Sequence, residues 1–447
     1  MYWLFFREMQ QKTKLILSEK ELFMMSVKPE VLEIGDKIRL VRVQTAPAKT
    51  TCVSVELLMP LGEQTAEYTV LASYLTHCTE KFPSLNLLNE RLELLYGAQL
   101  SCNTSKFGEG FRLSFQAVCL NDRYALDGES VCTAALELLL DLLLCPYLEN
   151  GTFSAERTAQ EIRLCAADLE SELNDKRAYA LRRMVETMCK DEPYGIRTDD
   201  ILKAMRALTG DDLLAAWKKL LCEAHIAVCA AGDLDFDALS ESLKTRFAAL
   251  PRYPKPIETQ FVVSAAAPTE TVEPMDVNQS KLVLGFRSGM TSPDDNYYAT
   301  RVMVDVFGGG PYSRLFTQVR EKLSLCYYCS ARLDRRKGII AVQSGIESEN
   351  KQAALEEILR QVAVMQNGEF SDDVLQASKA ALADLFRSVD DTPETALGYY
   401  SQFIDEPMCT PAEYIAGVER VTREDVIAAA KRMTLDTVYF LSGKEEA

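Results

Sequence analysis

The chain has 447 residues, more than one hydrophobic core usually fills, so two or more domains are expected. Its 47% hydrophobic and 26% charged residues give the composition of a soluble globular protein. Asp and Glu outnumber Lys and Arg 66 to 49, and the resulting net charge of -17 repels phosphate backbones and anionic lipid, which excludes nucleic acid and membrane surfaces as partners and leaves peptides or proteins.

The chain opens on an apolar run, Met1 to Phe6, that Arg7 and Glu8 cut short. A secretory signal needs a positive front, a longer apolar stretch and a small-residue cleavage site, so residues 1–24 are set apart as an N-terminal extension. No stretch approaches the roughly 20 apolar residues that span a bilayer. The 13 cysteines stand singly, mostly inside apolar runs (Cys119, Cys132, Cys145, Cys229), as reduced core thiols do, and the expected compartment is the cytoplasm.

From there the elements come twice. An alternating strand, Cys52 to Pro60, precedes a helical stretch around Tyr68 and a second helix from Leu87 to Tyr96. Two strands follow, joined at Phe107-Gly108, then an apolar-periodic helix through Ala134 to Leu140. Phe153-Ser154 opens a long helix with serine as its N-cap. After a proline-punctuated linker (Pro251 to Ile257, Ala265 to Thr269) the order recurs: a strand at Lys281 to Ser288, and helices around Tyr297-Tyr298 and from Ser313 to Leu323. A strand pair turning at Lys337-Gly338, a helix at Ala353 to Ile358 and a serine cap at Phe370-Ser371 complete it. The first half carries extra loop between Leu120 and Gly128. Thr392-Pro393, Thr410-Pro411 and Thr422 open later helices.

This order implies duplicated domains, residues 25–256 and 257–447, of α+β class. Each is expected to be a mainly antiparallel sheet with helices packed on one face.

The segment Phe307-Gly-Gly-Gly-Pro-Tyr-Ser-Arg-Leu-Phe316, continuing through Val319 to Tyr328, resembles the second-half signature of the insulinase (pitrilysin, peptidase M16) family. Glu80-Lys-Phe-Pro83 and Leu95-Tyr-Gly-Ala98 look like its first-half landmarks. More narrowly, the chain is similar to bacterial proteins associated with 5-aminopentanol modification of elongation factor P, which lack a zinc motif and accompany a second family member. Active members hold zinc with a His-x-x-Glu-His helix, whose imidazoles four apart share one face, and a later Glu. Alignment on Thr79 to Pro83 puts Thr69, Ala72 and Ser73 at those positions. The only histidines, His77 and His225, lack a second His four residues on. Glu161 falls near the place of the last ligand. The resemblance therefore implies an inactive homologue with no metal and no cofactor, and His77 reads as an exposed helix residue.

Other motifs read as structure. Cys326-Tyr-Tyr-Cys329 falls in a strand-like stretch, where positions three apart point to opposite faces, so a joint thiol site is not expected. Gly308-Gly309-Gly310 lacks the Lys-Ser/Thr ending of a phosphate loop and reads as a helix–helix connection allowing close backbone approach.

In the family frame, an Arg and a Tyr placed like Arg320 and Tyr327 reach the substrate beside a partner's zinc. The guanidinium can hold a carbonyl or carboxylate, and the phenol can stabilise an oxyanion. The resemblance thus implies a non-catalytic subunit of a heterodimer with a zinc-bearing homologue, enclosing a peptide or protein substrate. The alternative is an interaction or maturation factor, in elongation factor P modification, with no role in proteolysis.

Overall fold

The computed structural model describes residues 29–443 apart from 46 and 63, so the N-terminal extension expected over residues 1–24 lies outside the described residues. Two sheets form the framework. The first contains β1 (Glu30–Gly35), β2 (Ile38–Val43), β3 (Thr50–Pro60), β4 (Gln99–Phe107), β5 (Gly110–Leu120) and β6 (His225–Ala231), in the order β1-β2-β6-β3-β5-β4. The second contains β7 (Thr269–Pro274), β8 (Ser280–Arg287), β9 (Tyr328–Asp334), β10 (Ile339–Ile346) and β11 (Thr434–Ser442), in the order β7-β11-β8-β10-β9. With β1 set aside the two orders correspond strand for strand. The parallel pairs are β2 with β6 and β7 with β11, and all other neighbours are antiparallel. The mainly antiparallel α+β reading is correct.

Helix starts follow local chemistry. Thr392, Thr410 and Thr422 each close a reciprocal capping box, and Ser371 accepts from the Val374 amide at 3.4 Å. Ser154 differs: its side chain does not cap, and its backbone N–H donates to the Tyr74 hydroxyl at 3.2 Å.

Each half packs its own helices on one face of its sheet, and the opposite face is covered as well. β3 is buried at every interior position, which a strand with one wet face cannot be. Val53, Val55, Leu57 and Met59 join the helices of their own half. The opposite face is covered by a helix from the other half. Ala396, Leu397 and Tyr400, on the helix Pro393–Tyr400, pack against Val41, Val43, Cys52, Cys229 and Ala231. Reciprocally, Tyr179, Ala180, Met184 and Met188, on the helix Lys176–Met188, pack against Val283, Ile339, Tyr439 and Leu441. Gly285 makes room there, since a Cβ would lie 2.5 Å from the Met184 sulfur. Each fully buried side chain of this kind contributes about 1.5–3 kcal/mol, so neither half has a complete core alone.

The two equivalent hairpin turns meet at the junction. The Arg336 guanidinium stacks on Phe107, 3.3 Å from the ring centre. Beside them Lys337, fully buried, reaches Glu109 at 2.6 Å, Glu192 at 2.6 Å and the Gln260 carbonyl at 2.7 Å. Arg287 extends the network to Glu192 at 2.9 Å and Asp436 at 2.8 Å. First-half carboxylates, the linker and second-half cations are thus joined in one buried cluster.

Candidate functional site

The helix Thr65–Leu75 carries the three positions at which active relatives would hold zinc. Thr69 turns its hydroxyl back to the Thr65 carbonyl at 2.7 Å, and Ala72 is buried with no donor atom. Ser73 donates to Glu161 Oε2 at 2.8 Å. Glu161, buried on the facing helix Ala155–Ser171, meets His77 Nδ1 with its other oxygen at 2.9 Å. Burial alone would raise the Glu161 carboxyl, but the hydrogen bonds from His77 and Ser73 hold it below the usual carboxylate range. His77 is not the exposed helix residue expected from sequence. It sits past the helix end, its side chain 28% exposed and engaged with Glu161.

These residues do not fit zinc. One helix face offers a threonine, an alanine and a serine, and both carboxylate oxygens of Glu161 are already used by neighbours. Among the described residues no three His, Cys, Asp or Glu side chains are grouped to hold a metal. What stands in the position of a metal centre is a closed Ser73–Glu161–His77 hydrogen-bond chain.

Arg320 and Tyr327 come together elsewhere. Gly308 ends the helix Tyr297–Gly308, and its missing side chain lets the backbone approach β9, where a Cβ would stand 2.6 Å from the Ala331 nitrogen. The chain then winds as a wide π-helix over Leu315–Lys322, not the regular helix expected there. Arg320 lies on it, partly exposed, with its guanidinium 4.5 Å from the Phe316 ring centre and 3.6 Å from Glu321. Tyr327 precedes β9 instead of lying within it, and its amide donates to the Gly345 carbonyl at 2.9 Å. The residue is 61% exposed, and its hydroxyl donates to Glu347 at 2.9 Å. Both side chains line one open cavity of about 420 Å³, together with Glu321, Cys326, Glu347 and Asn350. Guanidinium, phenol and carboxylate around one opening can grip a peptide backbone through donors and acceptors at once.

A larger cavity, about 840 Å³, lies between the halves and includes none of the candidate site residues named from sequence. Phe107 and Tyr194 come from the first half, and Tyr297, Tyr399, Phe403 and Arg332 from the second. No local signal marks it, because its wall is assembled from both halves.

The family model for the peptidase M16 inactive domain matches residues 207–382. A Bacillus subtilis (strain 168) protein named "Probable inactive metalloprotease YmfF" is 31% identical over 411 residues, covering 91% of this chain and 96% of that protein. A conserved protein from Enterococcus faecalis V583 has a crystal structure that matches with a TM-score of 0.85 at 27% identity, covering 94% of this chain and 99% of that one. A peptidase M16 inactive domain from Pseudomonas fluorescens matches in fold, with a TM-score of 0.74 at 18% identity over 94% of this chain and 98% of that one.

Proposed function

The chain belongs to the M16 peptidase family as an inactive member, and from that premise we propose that it is the non-catalytic subunit of a heterodimer with a zinc-bearing homologue, helping to enclose and bind a peptide or protein substrate. The observation that carries this reading is the unequal fate of the two sites. The positions of the zinc ligands have closed into the Ser73–Glu161–His77 chain, whereas Arg320 and Tyr327 still line an open cavity. A chain that had left peptide processing altogether would have no reason to keep exposed arginine and tyrosine facing one opening. The edge strand β4, with one side unpaired among the described residues, and the aromatic cavity between the halves would provide further places for an extended segment and its side chains.

The test is to produce this chain with a zinc-bearing family member from the same host and follow both association and peptide turnover. A stable one-to-one complex that cleaves peptides faster than the zinc-bearing chain alone is the expected result. No association, or association without any change in turnover, would contradict the proposal, and the latter outcome would point to the interaction-factor alternative.

A further inference from the structure

The cavity of about 840 Å³ between the halves falls within the range of about 300–1,000 Å³ that small-molecule sites occupy, and junctions between domains are where such sites recur. Part of its wall is the sheet face that the helix Lys176–Met188 covers. Arg332 on β9 is the cross-strand partner of Ala341 on β10, so the two share that face. Leu181 and Val185, four apart on the covering helix, are only half-buried against it and leave apolar surface facing the space.

The cations around this cavity are not equivalent. Arg335 is paired with Asp294 at 2.6 Å and Glu406 at 2.9 Å, and Arg336 with Glu406 at 3.1 Å and Asp405 at 3.3 Å. Arg332 is exposed and has no hydrogen-bond or ion-pair partner among the described residues. Arg177 beside it pairs with no carboxylate among them either. Its guanidinium bonds to Gln343 at 3.2 Å and to Ser330 at 3.3 Å, and Ser330 lies two positions before Arg332 on the same strand face. On the other side of Arg332, Asp334 already accepts from the Tyr194 hydroxyl at 2.5 Å and from the Arg336 amide at 3.0 Å. In a chain of net charge -17, two neighbouring guanidiniums without a carboxylate, next to an apolar wall, match an anion with an apolar body.

We propose that this cavity binds a carboxylate carried on an aromatic or branched apolar side chain, with the carboxylate in the fork of Arg332 and the body against Leu181, Val185 and Ala341. The same chemistry occurs in a free N-acylated amino acid and at the C-terminus of a peptide. A neutral ligand would cover Arg332 without matching its charge, and a cationic one would face two like charges. Leu181 and Val185 belong to the first half, Arg332 and Ala341 to the second, so the ligand bridges the halves. The site needs no partner subunit, and binding by the isolated chain tests it apart from the heterodimer.

The experiment titrates the isolated chain by calorimetry at low salt with N-acetyl-phenylalanine, its neutral amide, N-acetyl-glycine and the peptide acetyl-Gly-Gly-Phe. Saturable binding of N-acetyl-phenylalanine, of the peptide or of both is expected, and whichever binds identifies the source of the carboxylate. The amide should bind about tenfold more weakly or worse, and so should the carboxylates to Arg332→Gln, the loss expected for one charge-assisted hydrogen bond. N-acetyl-glycine, which lacks the apolar body, should bind more weakly than N-acetyl-phenylalanine. Because Arg332 is exposed, its replacement should leave the melting temperature unchanged. The proposal is overturned if neither phenylalanine carboxylate binds saturably, if acid and amide bind equally, if N-acetyl-glycine binds as tightly, or if Arg332→Gln binds like wild type.

Discussion

Lys337→Met is expected to destabilise the protein by about 3–5 kcal/mol, the usual cost of removing one partner from a buried ion pair. Lys337 has no exposed surface, and its ammonium is shared by Glu109, Glu192 and the Gln260 carbonyl. Methionine has similar volume, so packing is nearly conserved and the loss is electrostatic. Glu109 would lose its cation, while Glu192 would keep Arg287. Adding Glu109→Gln to Lys337→Met should therefore recover part of the loss. Burial raises the Glu192 carboxyl, but Lys337 and Arg287 together bring it below its ordinary 4.5. A depressed acid contributes its stability above the unfolded value and loses it as pH falls through the folded one. The difference between wild type and Lys337→Met should thus be full at neutral pH and shrink in acid below 4.5. Urea midpoints at neutral pH and in acid measure it, and a neutral-pH loss under about 1 kcal/mol would mean that the lysine is solvated.

Arg320→Ala with Tyr327→Phe is expected to leave the fold alone and disable the proposed heterodimer. Both residues are at the surface of an open cavity, and the substitutions remove an exposed cation–π stack on Phe316, an exposed ion pair with Glu321 and a hydrogen bond to Glu347. Their removal should cost no more than about 1 kcal/mol of stability. Loss of an oxyanion donor typically lowers turnover by a factor of about 100 to 1,000. In the proposed complex with a zinc-bearing homologue, the double variant should therefore associate and melt like wild type while turnover collapses. Unchanged turnover would remove both residues from any role at the substrate. A large fall in melting temperature would instead make them packing residues.

The duplicated order of elements is legible in the sequence because caps, turns and strand alternation are local. Thr392, Thr410 and Thr422 announce their helices, and Phe107-Gly108 and Lys337-Gly338 mark equivalent turns. The exchange of covering helices is not legible. The periodicity of Lys176–Met188 says that one face is buried, but not that the receiving sheet belongs to the other half. Lys337 is legible only as part of a turn, and its buried ion pairs emerge where the two turns abut. His77 reads wrongly from sequence because its partner, Glu161, comes from a separate helix 84 positions away. Cys326, read from sequence as part of a strand, lies ahead of it, since β9 begins at Tyr328. Arg320 and Tyr327 stand out only through family resemblance, and no property of their immediate neighbours would have singled them out.

A closed hydrogen-bond chain has replaced the zinc site, and metal content tests this most directly. The purified chain, dialysed against excess zinc and then against buffer, should retain no stoichiometric metal and hydrolyse no generic peptide, because Thr69, Ala72 and Ser73 supply no imidazole and Glu161 is already engaged. One tightly held zinc per chain, lost on replacing Glu161 with Gln, would contradict the account.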